Sequence, residues 1–301
     1  MDYEGILYEE DGGKVRITLN RPDKLNAMTP KLQRELADAL WRADSTAGVH
    51  VIILKANGRS FSAGYDISMT YREEESHAPG ANGRRGWREF DDDVWYLERD
   101  QRLRNTILDL HKPVIAQVHG YCLAGGTDLA LLCDLVVAAD DAVLGFPPVR
   151  NQGSPVNHMW TYLVGPQWAK YFLLTGDQVS GVEAAKIGLV LKAVPFDQLE
   201  STVEALADRM CRIDPGVLAA NKRIVTIALE MMGARTIQRM SAEMDSRARQ
   251  APGVKEFYRI AAEKGMKAAL EWRDGAYEDL TGSDTAARRK AEQEARLKGM
   301  P

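Results

Sequence analysis

The sequence predicts an α/β protein whose final third is helical. A strand–turn–strand–helix–strand passage occupies the first 56 residues, glycine-bearing loops follow strands at two later points, and beyond residue 155 apolar residues recur at helical rather than alternating spacing.

GILYEE and KVRITLN alternate in polarity on either side of DGG, the composition of a tight turn between paired strands. After the loop RPDKLNAM, Thr29 and Pro30 supply a capping hydroxyl and a proline at the first helical position. Leu32, Leu36 and Leu40 then share one helix face. HVIILKA, rich in β-branched residues, is the next strand and NGRSFSAG its loop. Residues 68 to 92 are charged and glycine-punctuated, the composition of a long surface excursion. VWYLERDQRLRNTILDLH follows as a helix, KPVIAQVHG as a strand, and YCLAGGTDLALLCD becomes helical after Gly125. DLVVAA and AVLGF are short strands, and Pro147–Pro148 make a rigid elbow in FPPVRNQG by fixing two φ angles and removing two backbone donors.

QWAKYFLLTG, GVEAAKIG and FDQLESTVEALADRMCRI are separate helical patterns. GVLAANKRIVTIALEMM after Pro215, RTIQRMSAEMDSRARQ and VKEFYRIAAEKGMKAALEWR continue the series. DTAARRKAEQEARLKGMP reads as a solvated helix or tail. The expected division is an α/β core over residues 1–205 and a helical region with a charged tail over 206–301.

Lys plus Arg total 39 against 43 Asp plus Glu, a formal charge of −4, so no strong field argues for nucleic acid or a membrane surface as partner. MDYEGILYEEDGGKV lacks a basic stretch followed by an apolar one, and Asp134 interrupts the most apolar run, LALLCDLVVAA. The expected compartment is the cytoplasm. Cys122, Cys133 and Cys211 form no metal-ligand spacing, and their odd number argues against a disulfide framework; Cys122 and Cys133 read as small buried hydrophobes.

Two segments carry chemistry: FSAGYDIS (61–68) after a strand, and HGYCLAGGTDLALLCD (119–134) where a strand gives way to a helix. Glycines there let backbone approach a ligand, and the first N–H groups of a helix are unpaired donors. A glycine pair before a helix also serves as a packing turn, so each loop alone leaves both readings open. Neither GxGxxG nor GxxxxGKS occurs, which argues against a nucleotide phosphate loop.

Taken with ITLNRPDKLNAM upstream and HKPVIAQVHG between them, these loops resemble the enoyl-CoA hydratase/isomerase (crotonase) superfamily from about residue 5 to residue 200, and EKGMKAALEWR resembles its closing helix. The resemblance implies a spiral of repeated β-β-α units with a C-terminal helical trimerisation region. It further implies a homo-trimer or dimer of trimers, and a coenzyme A thioester as substrate in fatty acid metabolism, with no tightly bound cofactor and no metal. The family's oxyanion hole falls on the backbone N–H groups of Tyr65 and Gly125, which would hold charge developing on a thioester oxygen. The Tyr65 ring either shapes the acyl pocket or packs the loop. The coenzyme A side of the cleft falls on Ser62, Ala63, Asp66 and Gly126, with Arg21 and Lys24 toward the phosphates; surface solvation is the rival reading of the two cations.

Family hydratases hold a water between two glutamates. The first corresponds to Asp128, one methylene shorter, which reads either as acid/base in an apolar cleft or as a brace of the helix start. The second corresponds to Pro148, which has no proton to exchange, so the two-glutamate mechanism does not carry over. Replacements within reach of the sequence are Arg150, Asn151 and His158 downstream, and Tyr71, Glu73 and Glu74 in the excursion. Three functions follow. One is a hydratase/lyase or isomerase using Asp128 with a non-glutamate partner. Another is a C–C hydrolase, decarboxylase or retro-condensing lyase on a functionalised acyl-CoA, with Arg150 on an acidic group. The third is an impaired acyl-CoA-binding or partner subunit.

Overall fold

The computed structural model describes residues 3–69 and 90–277. Ile6–Asp11 (β1) and Lys14–Leu19 (β2) form the expected hairpin, antiparallel with Ile6 opposite Leu19. Its turn works because Gly12 and Gly13 adopt φ of +57° and +84°, a region open to glycine at little steric cost. Val51–Ala56 (β3), Val114–Val118 (β4), Leu135–Ala139 (β6) and Lys192–Val194 (β9) then add in parallel, giving the order β1-β2-β3-β4-β6-β9. Parallel strands covered on both faces read as unbroken apolar runs, and every residue of β4 is buried.

A second sheet is built from short strands that the sequence pattern largely conceals. Tyr121–Leu123 (β5) pairs parallel with Val143–Gly145 (β7), which pairs antiparallel with Gln178–Ser180 (β8). β4 leads into β5 and then the helix Gly125–Ala130; β6 leads into β7 and then the helix Trp160–Thr175. This repetition is the β-β-α spiral. A parallel bridge from Ser62 to Cys122 extends the small sheet to the loop after β3, and a second bridge joins Met28 to Tyr65. The first bridge brings the two glycine-bearing loops together, and the second ties the loop before α1 to one of them.

Helix α1 (Pro30–Ser45) starts as read: the Leu32 N–H donates to Thr29 Oγ1 at 3.1 Å, and Leu32, Leu36 and Leu40 are buried. Helix α2 (Phe90–Asp109) begins four residues before the sequence pattern suggested, through three aspartates in its first turn that suit a helix N-terminus. Helix α3 is the short, wholly buried Gly125–Ala130. Helix α4 (Trp160–Thr175) breaks at Gly165–Pro166, where Gly165 has φ of +73°. Gly181–Lys186 (α5), Phe196–Met210 (α6), Pro215–Met231 (α7) and Ala234–Ala248 (α8) follow. The stretch read as one closing helix is two, Pro252–Lys264 (α9) and Met266–Asp274 (α10), because Gly265 at φ of +88° ends the first.

One core cluster spans the main sheet, α1 and α6, with Ile17, Ile52, Leu54 and Ile115 fully buried; Phe257, Ile260, Ala261 and Ala269 form a small separate cluster between α9 and α10. Cys122 and Cys133 lie inside the main cluster as free thiols. Among the described residues no helix is long and apolar enough to cross a membrane, and no group of three or more His, Cys, Asp or Glu side chains could hold a metal ion.

Candidate active site

The loop after β3 and the start of α3 meet with almost no space between them. A Cβ on Gly64 would lie 2.7 Å from the Ala124 Cβ and 3.2 Å from the Gly125 nitrogen; one on Gly126 would lie 2.5 Å from the Ser62 carbonyl oxygen. Gly64 also holds φ of +110°, which glycine alone adopts at low cost. Ser62 is consumed by this junction. Its N–H donates to the Tyr121 carbonyl, its carbonyl accepts from Leu123, and its hydroxyl donates to the Asn26 carbonyl and accepts from Gly64. The Ala63 N–H donates to the Leu25 carbonyl.

Within this junction the Met28–Tyr65 bridge occupies the N–H groups of Met28 and Asp66, not that of Tyr65. The Gly125 N–H stands at the first position of α3. Among the described residues neither the Tyr65 nor the Gly125 N–H donates to a protein acceptor. The Tyr65 ring covers Gly125 so closely that a Cβ there would lie 2.9 Å from ring carbons Cε2 and Cζ. Two fixed, unengaged donors beside one phenol are suited to an anionic oxygen.

The Tyr65 hydroxyl donates to Asp128 Oδ2 at 2.6 Å. Asp128 is 0% exposed, and its Oδ1 has no hydrogen bond. Burial raises its carboxyl to about 7, with Asp245 adding to the rise; the Arg104 charge and the Tyr65 hydroxyl pull the other way. The Asn157 backbone N–H also favours the carboxylate, without forming a hydrogen bond of ordinary geometry to it. Burial likewise pushes the Tyr65 phenol well above its usual range.

Arg104, Asn157 and Asp245 were invisible to motif reading. Arg104 rises from α2 with its guanidinium carbon 5.1 Å from the Tyr65 ring centroid; it donates to Asn157 Oδ1 at 2.5 Å and to Gln33 Oε1. Asn157 Nδ2 donates to Asn105 Oδ1 at 2.8 Å, and Asp245 on α8 accepts the Ser154 N–H at 2.8 Å and pairs with Arg249. The available signal was Leu97, Gln101, Arg104 and Asn105 at helical spacing, where polar groups occupy core-facing positions on one stripe.

The remaining sequence candidates are placed as follows. Arg21 donates to Asp66 Oδ2 at 3.2 Å and to the Ala27 carbonyl, so two residues assigned to the coenzyme side bind each other; Lys24 is exposed. A cleft of about 400 Å³ opens beside Arg21 between the Glu4–Gly5 segment and the start of α1, bordered by Thr29, Lys31, Arg34 and Glu35, and Asp128 is not on its wall. Pro148 lies in a single turn of 3-10 helix, its carbonyl accepting from Gln152 and Gly153. Arg150 does not offer a free guanidinium: it donates to the Thr175 carbonyl and Asp177 Oδ1, both at 2.7 Å, and stacks 4.1 Å from the Tyr277 ring. The reason is the tight turn at Gly176, where a Cβ would strike Arg150 Nε at 2.8 Å. Asn151 is exposed, and a Cβ on Gly253 would meet its side chain at the start of α9. His158 contacts Thr161 Oγ1 at 2.7 Å at the start of α4, and burial lowers its pKa. Tyr71, Glu73 and Glu74 lie outside the described residues.

Known proteins resemble this chain over most of its length. A sequence model described as "Enoyl-CoA hydratase/isomerase" matches residues 9–281. A hydroxycinnamoyl-CoA hydratase-lyase of Pseudomonas fluorescens is 33% identical over 228 residues, covering 73% of this chain and 79% of the relative. A crotonyl-CoA hydratase of Syntrophomonas wolfei is 32% identical, covering 82% and 89%. The crystal structure of an enoyl-CoA hydratase from Mycobacterium smegmatis superposes with a TM-score of 0.84 at 33% identity, covering 92% of this chain and 96% of that one. The chain belongs to the enoyl-CoA hydratase/isomerase (crotonase) superfamily.

Proposed function

We propose that the protein acts on an acyl-CoA thioester by forming and stabilising an enolate, with Asp128 as the acid/base. The observation carrying this reading is a fully buried carboxyl, held near pKa 7 by burial, alongside two unengaged backbone N–H groups. The thioester oxygen sits against the Tyr65 and Gly125 N–H groups, which stabilise it more as the C–H bond breaks than before. The electron pair of that bond moves into the enolate, the proton passes to Asp128, and its return at the γ-carbon of a 3-enoyl substrate completes an isomerisation. A hydration starts instead from water attack at the β-carbon: the water's proton passes to Asp128, the C=C pair forms the enolate with the carbonyl pair on the thioester oxygen, and delivery of that proton to the α-carbon completes it. Arg21, Asp66 and the Ser62–Ala63 backbone are proposed to border the coenzyme, with Lys24 and the Arg21-side cleft toward its phosphates.

Pro148 favours reactions that need one carboxylate over the two-glutamate hydratase arrangement. The similarity to a hydratase-lyase keeps C–C cleavage as a second reading. Arg150 gives that reading no support, because its guanidinium is engaged by Thr175 and Asp177. The perturbed Asp128 argues against an impaired binding subunit, since ionising a buried carboxyl costs stability. A trimer or dimer of trimers is proposed from the family, supported by Ile224, Val225 and Met231 of α7, which are 61–84% exposed.

The test is incubation with crotonyl-CoA and longer 2- and 3-enoyl-CoAs, following hydration and double-bond migration. Asp128→Asn is expected to lower turnover about 10²- to 10⁴-fold while thioester binding persists. Unchanged turnover rejects the assignment.

A further inference from the structure

Asp128, as placed, is sealed from the site in which it must act. Its side chain is 0% exposed, whereas Tyr65, whose hydroxyl donates to Asp128 Oδ2 at 2.6 Å, is only half-buried. The phenol is therefore the group that joins the sealed carboxyl to a residue that is not itself sealed. The same residue supplies one of the two unengaged N–H groups, and its ring covers the Gly125 backbone that supplies the other. The hydroxyl has Asp128 as its sole hydrogen-bond partner among the described residues, which leaves its oxygen lone pairs open. At the position read as the family's second acid, Pro148 offers no proton.

We propose that the Tyr65 phenol is the group that exchanges protons with the acyl chain, and that Asp128 acts through it. This rests on the enolate chemistry proposed above and names the atom that carries it out. In the forward step the Tyr65 oxygen takes a proton from the substrate carbon while its own proton passes to Asp128 Oδ2. The C–H electron pair becomes the enolate C–C π bond, and the carbonyl π pair moves onto the thioester oxygen beneath the two N–H groups. No net charge accumulates on the phenol, because one proton arrives as another leaves. In the return step Asp128 gives its proton back to the Tyr65 oxygen as that oxygen protonates carbon, restoring both groups. Only the negative charge is displaced, from the Asp128 carboxylate to the thioester oxygen. Arg104 suits this exchange: its guanidinium carbon lies 5.1 Å from the Tyr65 ring centroid, and Asn157 and Gln33 anchor it there. Tyr65 is thus catalytic in this scheme, Asp128 is the proton reservoir, and Arg104 is a positioning residue.

Tyr65→Phe isolates the hydroxyl, since ring and backbone N–H are retained. The readout is tritium release from [2-³H]butyryl-CoA by the full-length protein, measured in H2O and in D2O, with thioester affinity determined separately. The relay predicts that Y65F and D128N each lower release at least about 100-fold with affinity preserved. It also predicts that the native protein releases tritium more slowly in D2O, because the phenolic proton moves in the same step as the carbon-bound one. Near-native release by Y65F with loss in D128N overturns the relay while leaving Asp128 as a direct base. Loss in Y65F with equal native rates in H2O and D2O also overturns it, reducing Tyr65 to a positioning residue. No release by the native protein overturns the enolate reading and the relay together. Restored release in a Tyr65→3-fluorotyrosine protein, which keeps the hydroxyl, is expected and excludes general damage to the loop.

Discussion

Asp128 and Arg150 are both buried charges, at 0% and 8% exposure, on neighbouring limbs of the same spiral, yet their surroundings differ in kind. Asp128 has one carboxylate oxygen bound to a phenol and the other without a hydrogen bond. Arg150 is bound to a carbonyl and a carboxylate, lies 3.8 Å from a second carboxylate at Asp274, and stacks on Tyr277. An incompletely satisfied buried charge is a cost that a reacting group imposes on the fold. A fully satisfied one pins elements together. On the proposed reading the glycine-loop region carries the chemistry, while the elbow after β7 holds α4 against the C-terminal segment.

The largest expected stability effect breaks the comparison on the Asp128 side. A carboxyl near pKa 7 in the folded chain and near 3.8 unfolded binds its proton more tightly when folded. Stability from this group is thus complete below about pH 3.8, falls as pH rises, and is lost above about 7. At 1.36 kcal/mol per unit the ceiling is about 4 kcal/mol. Asp128→Asn removes the ionisation while its amide oxygen still accepts from Tyr65, so it is expected to stabilise the fold by about 3 kcal/mol at pH 8. The gain shrinks toward zero at pH 4. Urea unfolding at the two pH values measures this, and a D128N protein less stable at pH 8 contradicts it. The native kcat/KM is expected to rise with pH through about 7, the acid limb of a base that works ionised.

On the elbow side the same kind of change has the opposite sign. Arg150→Ala leaves the Asp177 carboxylate with only the Tyr171 hydroxyl as side-chain partner and removes the contact with Tyr277, at an expected cost of about 2 kcal/mol. That is below the usual value for a broken buried pair because the Asp177 side chain keeps 19% exposure. Turnover per folded molecule is expected to stay at the native value. A selective rise in KM for acyl groups bearing a carboxylate would return Arg150 to the acyl pocket.

This contrast marks what the sequence could disclose. The hairpin, α1 and the apolar parallel strands were legible because period and turn chemistry are local. Strands β5 and β8, three residues each, carry too little pattern to separate from loop, although β5 aligns the two glycine segments. Asp128 was legible through its motif. Its surroundings were not, because Arg104 and Asp245 come from helices 24 residues before it and more than 100 after it and meet only through tertiary packing. The partners of Arg150 were hidden for a related reason: position in sequence says nothing of where a long side chain turns.

The smallest effects sharpen the division most finely. Ala124 and Asn151 are non-glycine residues at positive φ, +51° and +71°, one in each region. Ala124 precedes Gly125 at the start of α3, with ψ of −121°, a conformation that costs a residue bearing a Cβ about 1–3 kcal/mol. Ala124→Gly releases that strain but loses a buried methyl and adds freedom to the unfolded chain, so the net stability change is expected to be below about 1 kcal/mol. Turnover is nevertheless expected to fall about tenfold, because the peptide holding the Gly125 N–H becomes mobile and that donor must stay aimed at the oxyanion. Asn151 is exposed, and asparagine tolerates the left-handed region, so Asn151→Gly is expected to change stability by less than about 0.5 kcal/mol. Its turnover should match the native protein. If N151G lowered turnover as A124G does, the elbow would form part of the reacting surface, and Arg150 could no longer be treated as a purely structural charge.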